Sequence, residues 1–226
     1  MPTKRDPDLS LFFDILRTLE AANIPYMIIG AYAGTMYGIS RVTYDIDIVV
    51  DLNDVGIEAL ASAYPLPRYY ADPYQMRTSV QMGIMFNIID TERGEKADLI
   101  PLTMVSRYRI AFQNRIQQPI ELPDGHIMAV WCARPEDVIV GKLMAWAEGR
   151  SRKHAADIYE ILVFHYLHIA FDLRASLDEA YIDQRAAQLG QDVLEFWHAI
   201  QTQARDEAAR QQQSPSAARG TIKDNL

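Results

Sequence analysis

Only one cysteine, Cys132, occurs in the 226 residues, so neither an intrachain disulfide nor a cysteine-built zinc cluster is open to this chain. Held in the apolar run Ile127-Met128-Ala129-Val130-Trp131-Cys132, it reads as a small packed hydrophobe rather than a nucleophile. Long hydrophobic runs are also missing. No uncharged apolar stretch reaches the ~18 residues of a membrane span, and Met1-Pro2-Thr3-Lys4-Arg5-Asp6 leads into no signal-peptide core. No membrane partner is expected, and a cytoplasmic location is. Positive charge is in short supply: 22 Lys and Arg stand against 30 Asp and Glu, a formal net charge of −8. That balance argues against indiscriminate binding to nucleic acid, which depends on neutralising phosphates, while leaving room for a local basic surface. A Walker A loop, a Rossmann glycine fingerprint and a His-Glu-x-x-His zinc motif are all absent. His165 and His168 have no acid at ligand spacing and receive no metal role.

What is present is a globular composition, 49% hydrophobic, in a chain long enough for one compact core with an appended subdomain. Its most informative run is Arg41-Val42-Thr43-Tyr44-Asp45-Ile46-Asp47-Ile48-Val49-Val50. Read as one strand, it sends Arg41, Thr43, Asp45 and Asp47 to one face and the apolar residues to the other. Two carboxylates about 7 Å apart on such a face can converge on a pair of hard cations some 3.5–4 Å apart, as two-metal phosphoryl transfer requires. Bare carboxylates crowded together repel, and Mg²⁺ gives the arrangement its electrostatic sense. For the tripeptide alone a solvated strand end is the favoured reading; its context is what raises the metal reading.

That context begins at 25–29, an apolar strand running directly into Gly30-Ala31-Tyr32-Ala33-Gly34. The small residues predict a tight turn at a helix N-terminus. There, unpaired N–H groups make an anion site, and Gly30 lets a phosphate approach the main chain. A further strand at 84–89, a turn over 91–95 and a strand at 96–101 predict a hairpin. Asp98 is the lone acid inside the apolar part of that last strand and is expected as the third metal ligand, because a charge in mid-sheet is costly unless paired or coordinated. Asp90 and Glu95 read as turn residues.

Taken together, Gly30-Ala31, the following helix and Arg41-x-Thr43-x-Asp45-Ile46-Asp47 resemble the polymerase-beta nucleotidyltransferase superfamily, and more closely its AbiEii/MenT-like branch, which includes toxins of toxin–antitoxin pairs. A second block, 134–145 with Lys142 followed by Arg150-Ser151-Arg152-Lys153 and Asp157, is similar to that branch's helical segment. The resemblance covers 8–166 in spaced blocks. It implies an α/β (α+β) fold, a mixed-sheet nucleotidyltransferase core with a C-terminal helical subdomain. It also implies metal-dependent transfer of a nucleoside monophosphate from an NTP to an acceptor hydroxyl. Asp45, Asp47 and Asp98 would be the catalytic and metal-binding carboxylates, with two Mg²⁺ ions expected and Mn²⁺ as an alternative. Gly30, Ala31, Arg41, Thr43, Lys142, Arg150, Lys153 and Asp157 would bind the nucleotide. RNA, for example a tRNA end, would be the acceptor, and a cognate antitoxin the partner. Nucleotidylation of a small molecule or a protein, and a non-catalytic binding module on the same fold, remain open beside it.

One position departs from the pattern: Ala31 stands where a second Gly or a Ser is usual, which keeps the backbone N–H and loses any side-chain hydroxyl. Outside the resemblance, Lys142 reads as an exposed helix residue, and Asp157 reads equally as an i,i+4 partner of Lys153.

Residues 1–134 are expected to form the core with an N-terminal helix, 135–210 the helical subdomain, and 211–226 a disordered tail poor in apolar residues. Apolar periodicity predicts helices over 8–21, 53–63 and 104–115. A hairpin over 118–122 and 127–132 turns at Asp124-Gly125. Four more helices follow near 136–148, 151–167, 176–188 and 190–209. Residues 69–74, rich in tyrosine and turn formers, read as a connecting loop, with base stacking as the sharper alternative. Arg107, Arg109 and Arg115 fall on one predicted helix as a solvated face; Arg150, Arg152 and Lys153 are expected to face the site.

Overall fold

The computed structural model describes residues 9–41, 43, 46–103, 106–122, 124–167 and 177–213. Among them the element order is α1 (Ser10–Ala21), β1 (Tyr26–Ile29), α2 (Gly30–Thr35), β2 (Asp47–Val50), α3 (Asp54–Ala63), β3 (Tyr69–Tyr70), α4 (Pro73–Met82), β4 (Phe86–Asp90), β5 (Glu95–Pro101), α5 (Ser106–Gln113), β6 (Ile116–Glu121) and β7 (Ile127–Cys132). Then come α6 (Pro135–Gly149), α7 (Arg152–Tyr166), α8 (Glu179–Leu189) and α9 (Gln191–Gln213). The strands form one mixed sheet in the order β3-β4-β5-β2-β1-β7-β6. The expected α/β class with C-terminal helices is what this architecture is.

Contacts divide the chain into two compact units, Met1–Met36 with Arg41–Val138, and Tyr37–Ser40 with Ile139–Leu226. In the first, α1 lays its apolar stripe (Leu11, Phe12, Phe13, Ile15, Leu16 and Leu19, all buried) against β5 and α3. The central strands β1 and β2 are almost wholly apolar and buried, from Tyr26 to Ile28 and from Ile48 to Val50. Such strands can sit only in the middle of a covered sheet. In the second unit, α9 packs on α7 and α8, burying Trp197, whose indole N–H donates to Asp183 at 2.6 Å. Ser40 joins this unit through its N–H, which donates to Glu160 at 2.7 Å.

Several expectations need correction. Of the run 41–50 read as one strand, Asp47–Val50 form β2 and the described Arg41, Thr43 and Ile46 lie outside it, since β1 ends at Ile29 opposite Asp47; Val42, Tyr44 and Asp45 lie outside the described residues. Residues 69–74 are not a loop throughout. Tyr69–Tyr70 form β3 on the edge beside β4, and α4 starts at Pro73, with the Asp72 side chain accepting from the Tyr74 N–H at 2.8 Å. Asp90 and Glu95 are the paired ends of β4 and β5 rather than turn residues, and Asp90 is buried. Arg115 lies beyond α5, stacked on Phe112 and Trp131 at 4.2 and 4.9 Å, and burial lowers its pKa. Helix α9 continues to Gln213, which takes the first residues of the expected tail into regular structure. Cys132 is buried against Met36, Sγ to Sδ 3.5 Å, and burial pushes its thiol up to about 12.

Candidate active site

The turn from β1 into α2 is the first constructional feature. Gly30 has φ +71°, a left-handed conformation that disfavours any residue bearing a Cβ. A Cβ placed there would also collide with Oδ2 of Asp47. The predicted glycine turn is therefore real, and it is built against Asp47, the second carboxylate of the acidic run. Ala31 follows within the first turn of α2.

Strand pairing supplies the second feature. Ile29 pairs with Asp47 across β1 and β2, Asp47 with Asp98 across β2 and β5, and Asn87 with Asp98 across β4 and β5. Cross-strand partners project to the same face on strands about 4.8 Å apart, so Asp47 and Asp98 stand side by side, with Asn87 next in the row. The row is half-buried, whereas the next one along the same face (Met27, Val49 and Ile100) is buried. The two carboxylates thus sit where the covered face opens. Regularity of the ladder, rather than side-chain preference, puts them in register.

Asp98 is tightly held. Asn87 donates its amide N–H to Oδ1, and the Lys96 ammonium donates to both carboxylate oxygens at 3.1 and 3.2 Å. Lys96 precedes Asp98 by two residues and shares its face. Sequence reasoning missed both Asn87 and Lys96 as parts of this site. Period-two spacing could have found Lys96; Asn87 needed the hairpin register.

A hard divalent cation fits what is present. The donors are carboxylate oxygens, the chemistry that Mg²⁺ and Mn²⁺ prefer, and the Lys96 ammonium rests on both oxygens of Asp98. Among the described residues no group of three or more His, Cys, Asp or Glu side chains that could hold a metal ion is found. Asp45, expected as the third, lies outside the described residues. Arg41 and Thr43 are half-buried in the segment before β2.

The remaining expected nucleotide-binding residues belong to the second unit. Lys142 is not the exposed helix residue that spacing alone suggests. Its side chain is 7% exposed, and its ammonium donates to Asp157 at 2.6 Å, where the carboxylate is 2% exposed. Asp157 thus takes its charge partner from α6. Arg150 has φ +50° between α6 and α7; its guanidinium lies 4.2 Å over the Trp146 ring and donates to Asp192. That hydrogen bond holds the Asp192 carboxyl below its ordinary value. Lys153 is exposed in the first turn of α7, which Ser151 caps.

Searches for related proteins give a spare result. No protein-family model matches this sequence, and no curated protein matches it either. Among solved structures, an antigenic nucleotidyltransferase-like protein from Paracoccidioides brasiliensis is similar at a TM-score of 0.48 and 18% identity, covering 85% of this chain and 91% of that one. The antibiotic-resistance factor ANT(2'')-Ia is similar at 0.37 and 17%, covering 91% and 95% respectively. At these scores the chemistry has to come from the chain's own residues.

Proposed function

We propose that the chain is a metal-dependent nucleotidyltransferase that moves a nucleoside monophosphate from an NTP to an acceptor hydroxyl. The observation that carries this is the side-by-side placement of Asp47 and Asp98, at a half-buried opening and directly against the Gly30 turn. Asp47, Asp98 and, from the sequence motif, Asp45 would hold Mg²⁺. Bound there, the cation would withdraw charge from the phosphate oxygens during in-line displacement. The backbone N–H groups at the start of α2 would orient the triphosphate, and Ala31 can contribute only its own N–H. Asp98 would take the proton of the acceptor hydroxyl as its oxygen bonds to the α-phosphorus. The bond to the β-phosphate then breaks, and pyrophosphate leaves. The chain's contribution is positioning and charge stabilisation.

For the acceptor we propose RNA, with a cognate antitoxin as partner, on the sequence resemblance of 26–50 to the toxin branch. The test is incubation of the purified chain with each labelled NTP, Mg²⁺ and total RNA, wild type beside Asp47→Ala. Label on RNA that requires Asp47 supports the whole reading. Label only on a small hydroxylated molecule or on protein keeps the chemistry and overturns the acceptor. A second reading, a non-catalytic binding module on the same fold, draws on the missing hydroxyl at Ala31; it predicts no metal-dependent transfer from any NTP.

A further inference from the structure

Asp98 lies under a cation of the chain's own. The Lys96 ammonium reaches both of its oxygens, at 3.1 and 3.2 Å, from a position two residues earlier on the same face of β5. The lysine side chain is 54% exposed, the aspartate 14%. Asn87 holds the carboxylate from the other strand. Asp47 stands beside it on β2. An ammonium placed across both oxygens competes for them with a divalent ion, because the two cations would lie within a few ångströms of each other and repel. Lysine is suited to leaving: its charge is a point on a flexible four-carbon stem, and here the stem ends in solvent.

We infer that Lys96 is a resident counter-ion of the site, neutralising Asp98 beside Asp47 while no metal is bound and vacating the carboxylate when a divalent cation enters. The inference rests on reading the Asp47–Asp98 pair as a metal-dependent transfer centre. Lys96 is then a positioning residue whose exchange with the metal sets how tightly the site loads. Asn87, a neutral donor, stays on Oδ1 in both states and keeps the carboxylate from rotating.

The test is Mn²⁺ binding to the full chain in the absence of nucleotide, read from the electron paramagnetic resonance signal of the free ion. Four variants are compared with wild type: Lys96→Met, Lys96→Arg, Asp98→Asn and Arg93→Met. The last removes a charge from the same hairpin whose guanidinium lies on Ser10. Lys96→Met is expected to bind Mn²⁺ about tenfold more tightly, since one unit charge is removed from beside a divalent ion. Lys96→Arg, which keeps the charge, and Arg93→Met, which removes one that is not in contact with Asp98, are expected to stay within about threefold of wild type. Unchanged or weaker binding in Lys96→Met overturns the inference. Equal tightening in Arg93→Met does so too, because the effect would then be a general field rather than the pair. Mn²⁺ binding that Asp98→Asn leaves intact removes the metal reading of the site itself, and this inference with it.

Discussion

A methyl group at position 30 meets two obstacles at once: a left-handed backbone and the Asp47 carboxylate. Gly30→Ala is therefore expected to lower stability by about 1–2 kcal/mol through the backbone term, and to reduce transfer by far more than that loss explains, because Asp47 must move. Urea unfolding set beside turnover under folded conditions separates the two. Asp98→Asn keeps shape and removes charge, and should reduce transfer about 10³-fold with little change in unfolding midpoint. At Lys142 the direction reverses, since the Lys142–Asp157 pair is buried and unscreened. Lys142→Met removes the ammonium from a buried carboxylate and should cost about 3–5 kcal/mol, whereas Lys142→Met with Asp157→Leu should recover most of it. A double-mutant cycle in urea measures the coupling, and its absence would mean the pair is solvated in solution.

Among elements, the β4–β5 hairpin is the one that delivers Asp98, and Asp90 closes it. Burial acts to raise the Asp90 carboxyl, but the Arg68 guanidinium at 2.9 Å and the N–H groups of Glu92 and Arg93 outweigh it, so its pKa is lowered. A depressed carboxylate stabilises the fold above its unfolded value of about 3.9, and that contribution disappears as pH falls through the folded value. The unfolding midpoint should therefore drop on acidification below about pH 4, and Asp90→Asn should flatten that slope while lowering the midpoint at pH 7. The hairpin also marks where sequence reading stops. Its two strands and the placement of Asp98 are legible from apolar runs around a turn. Asp90 is not, because an acid next to Thr91-Glu92-Arg93-Gly94 looks like turn chemistry until Arg68, distant in sequence, is seen to neutralise it. Helix α4 is obscured differently: tyrosines at 69, 70 and 74 resemble a loop, while its local signals are Asp72-Pro73, an N-cap followed by a proline at the first turn, and Gly83, whose φ of +63° ends the helix. Alternation likewise says nothing about where a partner strand ends, as β1 does at Ile29 opposite Asp47.

For the whole molecule, the sequence conveyed class and order well, since an apolar strand, a glycine turn and a run of C-terminal amphipathic helices are each local signals. It could not convey that Lys142 and Asp157 bury each other, a pairing that depends on how α6 and α7 fold back within the second unit. The overall charge of −8 carries its own consequence. Random RNA should not be retained at about 150 mM salt, because non-specific affinity depends on phosphate neutralisation; filter binding across a salt series checks this, and strong salt-dependent retention would point to a concentrated basic surface. The central claim, that Asp47 and Asp98 assemble a metal site for a nucleoside triphosphate, is most directly tested without any acceptor. Thermal unfolding of wild type should shift upward with NTP only when Mg²⁺ or Mn²⁺ is present, by an amount that grows with ligand concentration, and Asp47→Ala with Asp98→Ala should abolish the shift. A metal-dependent shift that survives the double substitution, or its absence in wild type with every NTP, would contradict the account.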